Sequence, residues 1–411
     1  MEDIVSGKSV ISKEIPTPGC AIKRPTIKKV FWSDVAPIIL KKCVNCHDPF
    51  KEAPINYSSY EDVVGRLAMF RHVIENDLMP PWHLDPNTGP WKNDLSLTVK
   101  EKATLLKWID EGAKADKNSI KKLYKKESTG KNSSFKKTSS PDFVISLPEK
   151  VIVSPGKIEY KRFFIKTNFK EDKWIKNVSF KIKQKVIHHS FFLILDPSFK
   201  ERKVNYKYAL NRVTPAFPGM LSNKIGVKIP KGSTLMWETH YEPLGQKVID
   251  ENSHIQITFH KKQPKYKIVS FTLVFKKINI PPYKSDYQTK MSYKIKEDLF
   301  VMGMSSHMHL RGKAGSIFIR NSQKKKRVFG INPWNVKFEK SYLLKKPLRI
   351  SKNSTIECIN YFDNSENNVW NPFPEKYVTT GDYIEDEMSW CRLILLYPSS
   401  SKVTMKHIRF K

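Results

Sequence analysis

The chain has 411 residues, 39% of them hydrophobic and 12% aromatic, with only 16 glycines. That is more than one core holds, since single cores stop growing at roughly 250–300 residues, and it excludes both a disordered tail and a collagen-like repeat. Lys and Arg number 73 against 40 Asp and Glu, a net charge of +33 that attracts acidic partners. No RNP, zinc-finger or helix-turn-helix pattern accompanies the charge, so no nucleic-acid partner is expected, and no run approaches the ~20 apolar residues of a membrane span. Five cysteines, Cys20, Cys43, Cys46, Cys358 and Cys391, are too few for a disulfide-built scaffold.

In chain order, residues 1–26 read as an N-terminal extension, and residues 1–5 carry neither the basic nor the apolar region of a signal peptide. Helical spacing then predicts a small all-α domain over 27–115, with a helical stretch at 60–75. Its clearest helix covers 98–113, where Thr98 and Glu101 make a capping box and Leu105, Ile109 and Ala113 follow at i+4 steps beside Trp108. Residues 116–140 form a linker, because 117–140 holds eight lysines, a single acid (Glu127) and many Ser, Thr, Asn and Gly, a composition that builds no core. After Pro141, short β-type runs at 158–166, 190–196, 253–260, 268–276 and 317–320 alternate with Pro, Gly, Asn and Asp clusters. The expectation is two antiparallel β-sandwich (jelly-roll) domains, 141–263 and 264–411, with the basic stretch 261–267, containing Pro264, as the seam.

Cys43-Val44-Asn45-Cys46-His47 is a C-x-x-C-H, in which two thiols can form thioethers to haem vinyl groups while the next imidazole takes an axial position on iron. A zinc or redox C-x-x-C would call for a second C-x-x-C or a βαβ frame, and the sequence has neither. Met79, 32 residues beyond His47 and followed by Pro80 and Pro81, is the candidate second axial ligand, with His83 and Met69 as competitors. The region 27–115 resembles a class I-type cytochrome c. That resemblance implies one covalently attached haem c and an exported, periplasmic or secreted location. The stretch 18–24 around Cys20 resembles the tail of a redoxin domain that precedes such cytochromes in some larger relatives, with no chemistry of its own assignable.

Five further histidines fall into three clusters: His188-His189, His240, and His307-Met308-His309. Residues two apart on a strand face the same way, so His307 and His309 can share one metal, whereas adjacent His188 and His189 need a bulge. Any of these taken singly could be an interior or surface histidine. The clusters in this order, followed by Glu385-Asp386-Glu387-Met388, resemble the copper type II ascorbate-dependent monooxygenases, the family of peptidylglycine hydroxylase and dopamine β-hydroxylase, over about residues 141–411. The resemblance implies two jelly rolls with one copper each, the first on His188, His189 and His240 and the second on His307, His309 and Met388. The residue types agree. Imidazole holds both copper oxidation states and thioether favours Cu(I), so the second centre would activate O₂ for attack on a substrate C–H while the first supplies an electron. Zinc is the competing metal for a His₃ site.

Two departures from that family stand out. Glu238 occupies the place of a glutamine, and Cys391 lies three residues after Met388 where relatives place a cysteine immediately after. Positions one and three share strand parity, so Cys391 is expected to pair with Cys358 in a neighbouring strand, the alternative being two buried thiols. His254 and His260 fall on the polar face of 253–260 and are expected in solvent, and Glu385, Asp386 and Glu387 form a solvated turn as readily as a substrate contact. The expected function is hydroxylation of a peptide or small-molecule substrate with O₂, electrons arriving from ascorbate or a redox protein through the haem. The alternative is a non-enzymatic electron-transfer or copper-binding protein.

Overall fold

The computed structural model describes residue 6 and residues 29–44, 46–47, 55–92, 94–116, 140–156, 159–182, 186–200, 208–215, 217–241 and 245–410. The extension with Cys20 and the linker at 117–139 lie outside these residues, as do the side chains of His188, His189 and residues 406–410.

Four helices, α1 (Trp32–Lys42), α2 (Tyr60–Val64), α3 (Leu67–Glu75) and α4 (Val99–Asp110), share a small core of their own. Trp32 sits between Tyr60 and Trp108, with ring centroids 5.3 and 5.6 Å away, which fixes α1 against α4. The Thr98–Glu101 capping box is present, its two hydrogen bonds measuring 2.8 and 3.1 Å. Helix α4 ends at Asp110 rather than at 113, because Gly112 and Ala113 take positive φ (85° and 49°) and unwind the last turn. The expected stretch at 60–75 is likewise two helices, broken at Gly65 and Arg66, where N–H groups turn back onto Glu61 and Val63.

The rest of the described chain is β. The first set of strands is β1 (Phe143–Ser146), β2 (Val151–Val153), β3 (Glu159–Lys166), β4 (Lys173–Lys181), β5 (Ile187–Leu195), β6 (Ala209–Val213), β7 (Ile225–Ile229), β8 (Thr234–Tyr241), β9 (Val248–Asp250) and β10 (His254–Phe259). A second set follows: β11 (Tyr266–Phe275), β12 (Asn279–Ile280), β13 (Tyr287–Lys294), β14 (Leu299–His307), β15 (Gly312–Arg320), β16 (Lys325–Ile331), β17 (Tyr342–Ile350), β18 (Thr355–Phe362), β19 (Val378–Thr379), β20 (Ser389–Pro398) and β21 (Lys406–Phe410). In the first set β1-β10-β4-β7 faces β3-β8-β5-β6; in the second β11-β20-β14-β17 faces β13-β18-β15-β16. Each half therefore has the strand order of a jelly roll, and each has its own core.

The link at 260–265 joins the halves, but one sheet runs through the seam, because β7 pairs in parallel with Tyr266 and Lys267 at the start of β11. Strand β11 is accordingly buried along nearly its whole length, touched by β6 of one roll and β13 of the other. A disulfide joins Cys358 on β18 to Cys391 on β20, Cα atoms 6.1 Å apart. The two strands lie in facing sheets, not side by side in one sheet as parity alone suggested.

Segment 82–92 leaves the helical unit and docks on the second roll. Leu84 bridges to Ile331 on β16, and Trp91 bridges to Leu344 on β17, so one strap meets the open edges of both facing sheets. Backbone bonds run from Asp85 N to Gly330 O (2.9 Å), Asn332 N to His83 O (3.0 Å), Lys92 N to Leu343 O (2.6 Å) and Lys345 N to Pro90 O (3.0 Å). Asp85 pairs with Arg327, and Trp91 enters the core of the second roll at 4% exposure. An edge strand left bare is a template for foreign chains, and this strap covers two of them.

Candidate metal centres

The second roll brings together most of what the sequence placed there. Strand β14 ends at His307, which pairs across to Trp390 on β20. Met388 directly precedes β20, and its N–H and that of His309 both reach Glu387 Oε2. Met308 between the histidines is fully buried in the core, so His307 and His309 share the opposite face, their rings 5.2 Å apart. Each ring is oriented through Nδ1: His307 Nδ1 lies 2.7 Å from Glu339 Oε2, and His309 Nδ1 donates to the Asp386 carbonyl at 3.1 Å. Metal-binding histidines carry their second nitrogen in this way, which leaves both Nε2 atoms for a metal. The residues present therefore fit a soft-to-borderline metal bound by two imidazoles and a thioether.

Glu387 holds the site together, a role the acidic cluster did not announce. Far from solvated, its side chain is fully buried, while Glu385 beside it is exposed. Its carboxylate accepts the backbone N–H groups of His309 (2.8 Å), Arg311 (2.7 Å) and Met388 (3.1 Å), clamping the two ligand-bearing segments to one another. Burial pushes this carboxyl up to about 7, against the pull of the three donors and Arg311. Arg311, 1% exposed, also donates to the Glu385 carbonyl at 2.6 Å.

Burial, then the neighbouring His307, lowers His309 to about 3 from 6.5. The folded chain keeps this imidazole neutral where the unfolded chain protonates it. Its contribution to stability is thus fully present above about 6.5 and is lost as pH falls toward 3. For the metal-free protein, the difference in unfolding free energy between wild type and His309→Asn should shrink by about 2 kcal/mol between pH 7.5 and 5. Glu387, raised rather than lowered, titrates in the same window with the opposite sign but is common to both proteins. Urea titrations at the two pH values check this, and a difference constant with pH would refute it.

In the first roll, His189 pairs with His240 across β5 and β8, and the register slips between Ile187 and His189, which is the bulge that a shared ligand pair requires. His240 is 3% exposed and stacks on Tyr160, with ring centroids 4.3 Å apart. The Tyr160 hydroxyl donates to the Asp382 carbonyl of the second roll at 2.6 Å. On the same face Glu238, buried, takes a hydrogen bond of 2.5 Å from Arg162, so this position carries a paired carboxylate. Arg212 lies over the Phe191 ring at 3.6 Å and 5.7 Å from Trp390, which itself packs on His307 at 4.8 Å. The face bearing His240 thus turns toward the face bearing His307. Among the described residues, no three His, Cys, Asp or Glu side chains come together as a metal-binding group.

Cys43 and Cys46 lie on the turn that closes α1, with His47 N bonded to Cys43 O at 3.0 Å, and both are half-buried thiols. Burial and then Cys46 push the Cys43 thiol up to about 12, against Lys42. That environment disfavours a free thiolate at Cys43, as a redox C-x-x-C would use. His47 Nδ1 donates to the Ile55 carbonyl at 2.7 Å, leaving Nε2 for an iron, and its ring packs 4.9 Å from Tyr57. Met79 follows α3, half-buried, its N–H bonded to Val73 O at 3.1 Å. Of its competitors, Met69 is 48% exposed, and His83 donates from Nδ1 to the Pro333 carbonyl of the second roll at 3.0 Å. His254 and His260, expected in solvent, are half-buried, each facing a backbone carbonyl.

No family model and no curated protein matches the chain. Among solved structures, it is similar to "Structure of infectious bursal disease virus Gx strain" at 10% identity and TM-score 0.18, over 64% of this chain and 76% of that one. It is also similar to "Crystal structure of infectious bursal disease virus VP2 subviral particle" at 9% identity and TM-score 0.18, over 62% and 74%. Likeness at this level carries no argument about fold or function.

Proposed function

We propose that this chain is an exported haem–copper monooxygenase, in which a c-type cytochrome unit over 27–115 passes electrons to two copper centres on the two jelly rolls, and a substrate C–H bond is hydroxylated with O₂. The observation that carries this reading is the second centre: two imidazoles on one face, each with its Nδ1 engaged, and a methionine whose N–H shares Glu387 with that of His309. Copper held there would supply one-electron chemistry toward O₂. His307 and His309 would bind through Nε2, and the Met388 thioether would favour the reduced ion. His188, His189 and His240 would hold the other copper, on the face that Tyr160 ties to the second roll. Cys43 and Cys46 would carry the haem, with His47 and Met79 as axial ligands.

A buried disulfide supports an oxidising compartment, periplasmic or extracellular, where haem c is also attached. The partners of this reading are O₂, a peptide or small-molecule substrate, and an external donor such as ascorbate or a redox protein. Protein exported through cytochrome maturation, loaded with copper and desalted should retain about two coppers per haem iron by elemental analysis. Iron without retained copper would overturn the monooxygenase in favour of a non-enzymatic electron carrier.

A further inference from the structure

Exposed apolar side chains are not spread evenly over the described surface. Of the 14 exposed large hydrophobic residues among those described, five gather at one place. Val369, Trp370, Phe373 and Tyr377 lie on the loop between β18 and β19, and Tyr283 joins them, its N–H donating to the Pro374 carbonyl at 2.9 Å. A gathered patch of this kind marks an interaction site, whereas scattered single residues do not. The loop is braced. Asn364, fully buried, donates from Nδ2 to the carbonyls of Pro281 (2.9 Å) and Lys376 (3.0 Å) and accepts from Asn371 Nδ2 at 3.0 Å. Asn368 donates to the Leu310 carbonyl, one residue past His309, at 3.0 Å, so the loop is tied to the segment that bears the second centre.

The chemistry of the patch selects its partner. Trp and Tyr favour a boundary at which one end of the ring is apolar and the other wet. Exposed lysines lie over two of the rings, Lys376 Nζ 3.8 Å from the centre of Phe373 and Lys337 Nζ 5.0 Å from that of Trp370, and neither pairs with a carboxylate among the described residues. Exposed acids stand nearby, Glu366, Glu375 and Asp286, the last paired with Lys284. The patch is therefore close to neutral in itself, and the long-range attraction to an anionic surface comes from the chain's net charge of +33. A small ligand would need a concavity, which a tip residue 87% exposed, Val369, does not offer. An anionic bilayer offers a boundary for the rings, phosphates for the lysines and a field for the net charge.

We propose that the loop 369–377, with Tyr283, seats the chain peripherally on an anionic phospholipid bilayer, its rings at the headgroup boundary and Lys337 and Lys376 among the phosphates. No membrane span is involved. The inference goes beyond the haem–copper reading and does not depend on it, because neither metal nor haem takes part in the contact.

The test is co-sedimentation of the full chain with vesicles of phosphatidylcholine, alone or with about 30% phosphatidylglycerol. The wild type should bind the anionic vesicles well above the neutral ones, and added salt should weaken the binding. Trp370→Ser combined with Phe373→Ser should lower binding to the anionic vesicles at least about tenfold. Those side chains are 42% and 39% exposed, so circular dichroism and the urea midpoint should stay near wild type. Lys337→Gln with Lys376→Gln should lower binding at least about fivefold, and Lys166→Gln with Lys170→Gln, exposed on the first roll, should change it less than about twofold. Unchanged binding in the aromatic variant, equal loss in the two lysine pairs, or no binding of the wild type to either vesicle would overturn the membrane seat. If the wild type sedimented with microcrystalline cellulose and not with vesicles, the rings would belong to a polysaccharide partner and the proposal would fall. None of these outcomes bears on the haem or the coppers.

Discussion

If the chain is the haem–copper monooxygenase proposed above, His309→Ala should release one of two coppers, spare the haem and lower substrate hydroxylation by at least ~100-fold, because removing even a partner of a metal ligand costs 10–100-fold. The choice of His309 follows from its surroundings. It is 5% exposed, held neutral, and fixed by Nδ1 on the Asp386 carbonyl with its own N–H on Glu387. Truncation leaves that carbonyl without its donor, at a cost of about 1–3 kcal/mol. Activity alone would therefore confuse a lost ligand with a loosened fold. His307→Ala separates them: the His307 side chain is 15% exposed and gives up a bond to Glu339 and its packing on Trp390 at the surface of the roll, so it should lose the same copper at a smaller cost in stability. Elemental analysis beside urea unfolding reads both quantities, and full copper retention in either variant would remove the second centre from the account.

What the sequence made legible was periodic. Alternation with period two placed His307 and His309 on one face and sent Met308 into the core, and the need for a bulge at the adjacent histidines is met by the register slip between Ile187 and His189. The Thr98–Glu101 capping box is visible because both partners lie within one turn. What stayed hidden depends on contacts between residues far apart in the chain. Glu387, in a run of three acids that reads as solvated, is buried because N–H groups from His309 and Arg311, 78 and 76 residues away, converge on it. Glu339, Tyr160 and Trp390 bear no motif, and only the packing of loops and strands carries them to the histidines. A Pro-rich loop such as 79–92 gives no periodic signal, so its docking across two sheet edges had none to offer either. Composition suggested a seam at 261–267, but the sheet that passes through it could not be read there, since two backbone pairs between β7 and β11 leave no trace in side-chain pattern.

Replacing Cys358 and Cys391 together by alanine should lower unfolding free energy by about 3–4 kcal/mol, the loop-closure value for cysteines 33 residues apart. The effect should also reach the metal site. Cys391 pairs directly with Ser306, the residue before His307, and lies three residues beyond Met388, which immediately precedes its strand. Around it runs a buried polar layer in which Ser306 Oγ donates to Asn360 Oδ1 at 2.7 Å and Asn360 Nδ2 donates to Ser389 Oγ at 2.9 Å. Gly315 packs on that layer so closely that a Cβ there would lie 2.6 Å from Ser306 Oγ. The covalent tie thus spans the two sheets immediately behind the segments that bear His307 and Met388, and the neighbouring packing has no slack with which to replace it. Urea unfolding of the double variant should show a lower midpoint with a steeper slope, since the denatured chain is no longer cross-linked, and, on the proposed reading, copper at the second centre should be lost to a chelator sooner than copper at the first. Equal loss from both centres would mean that the disulfide stabilises the sandwich without positioning the ligands.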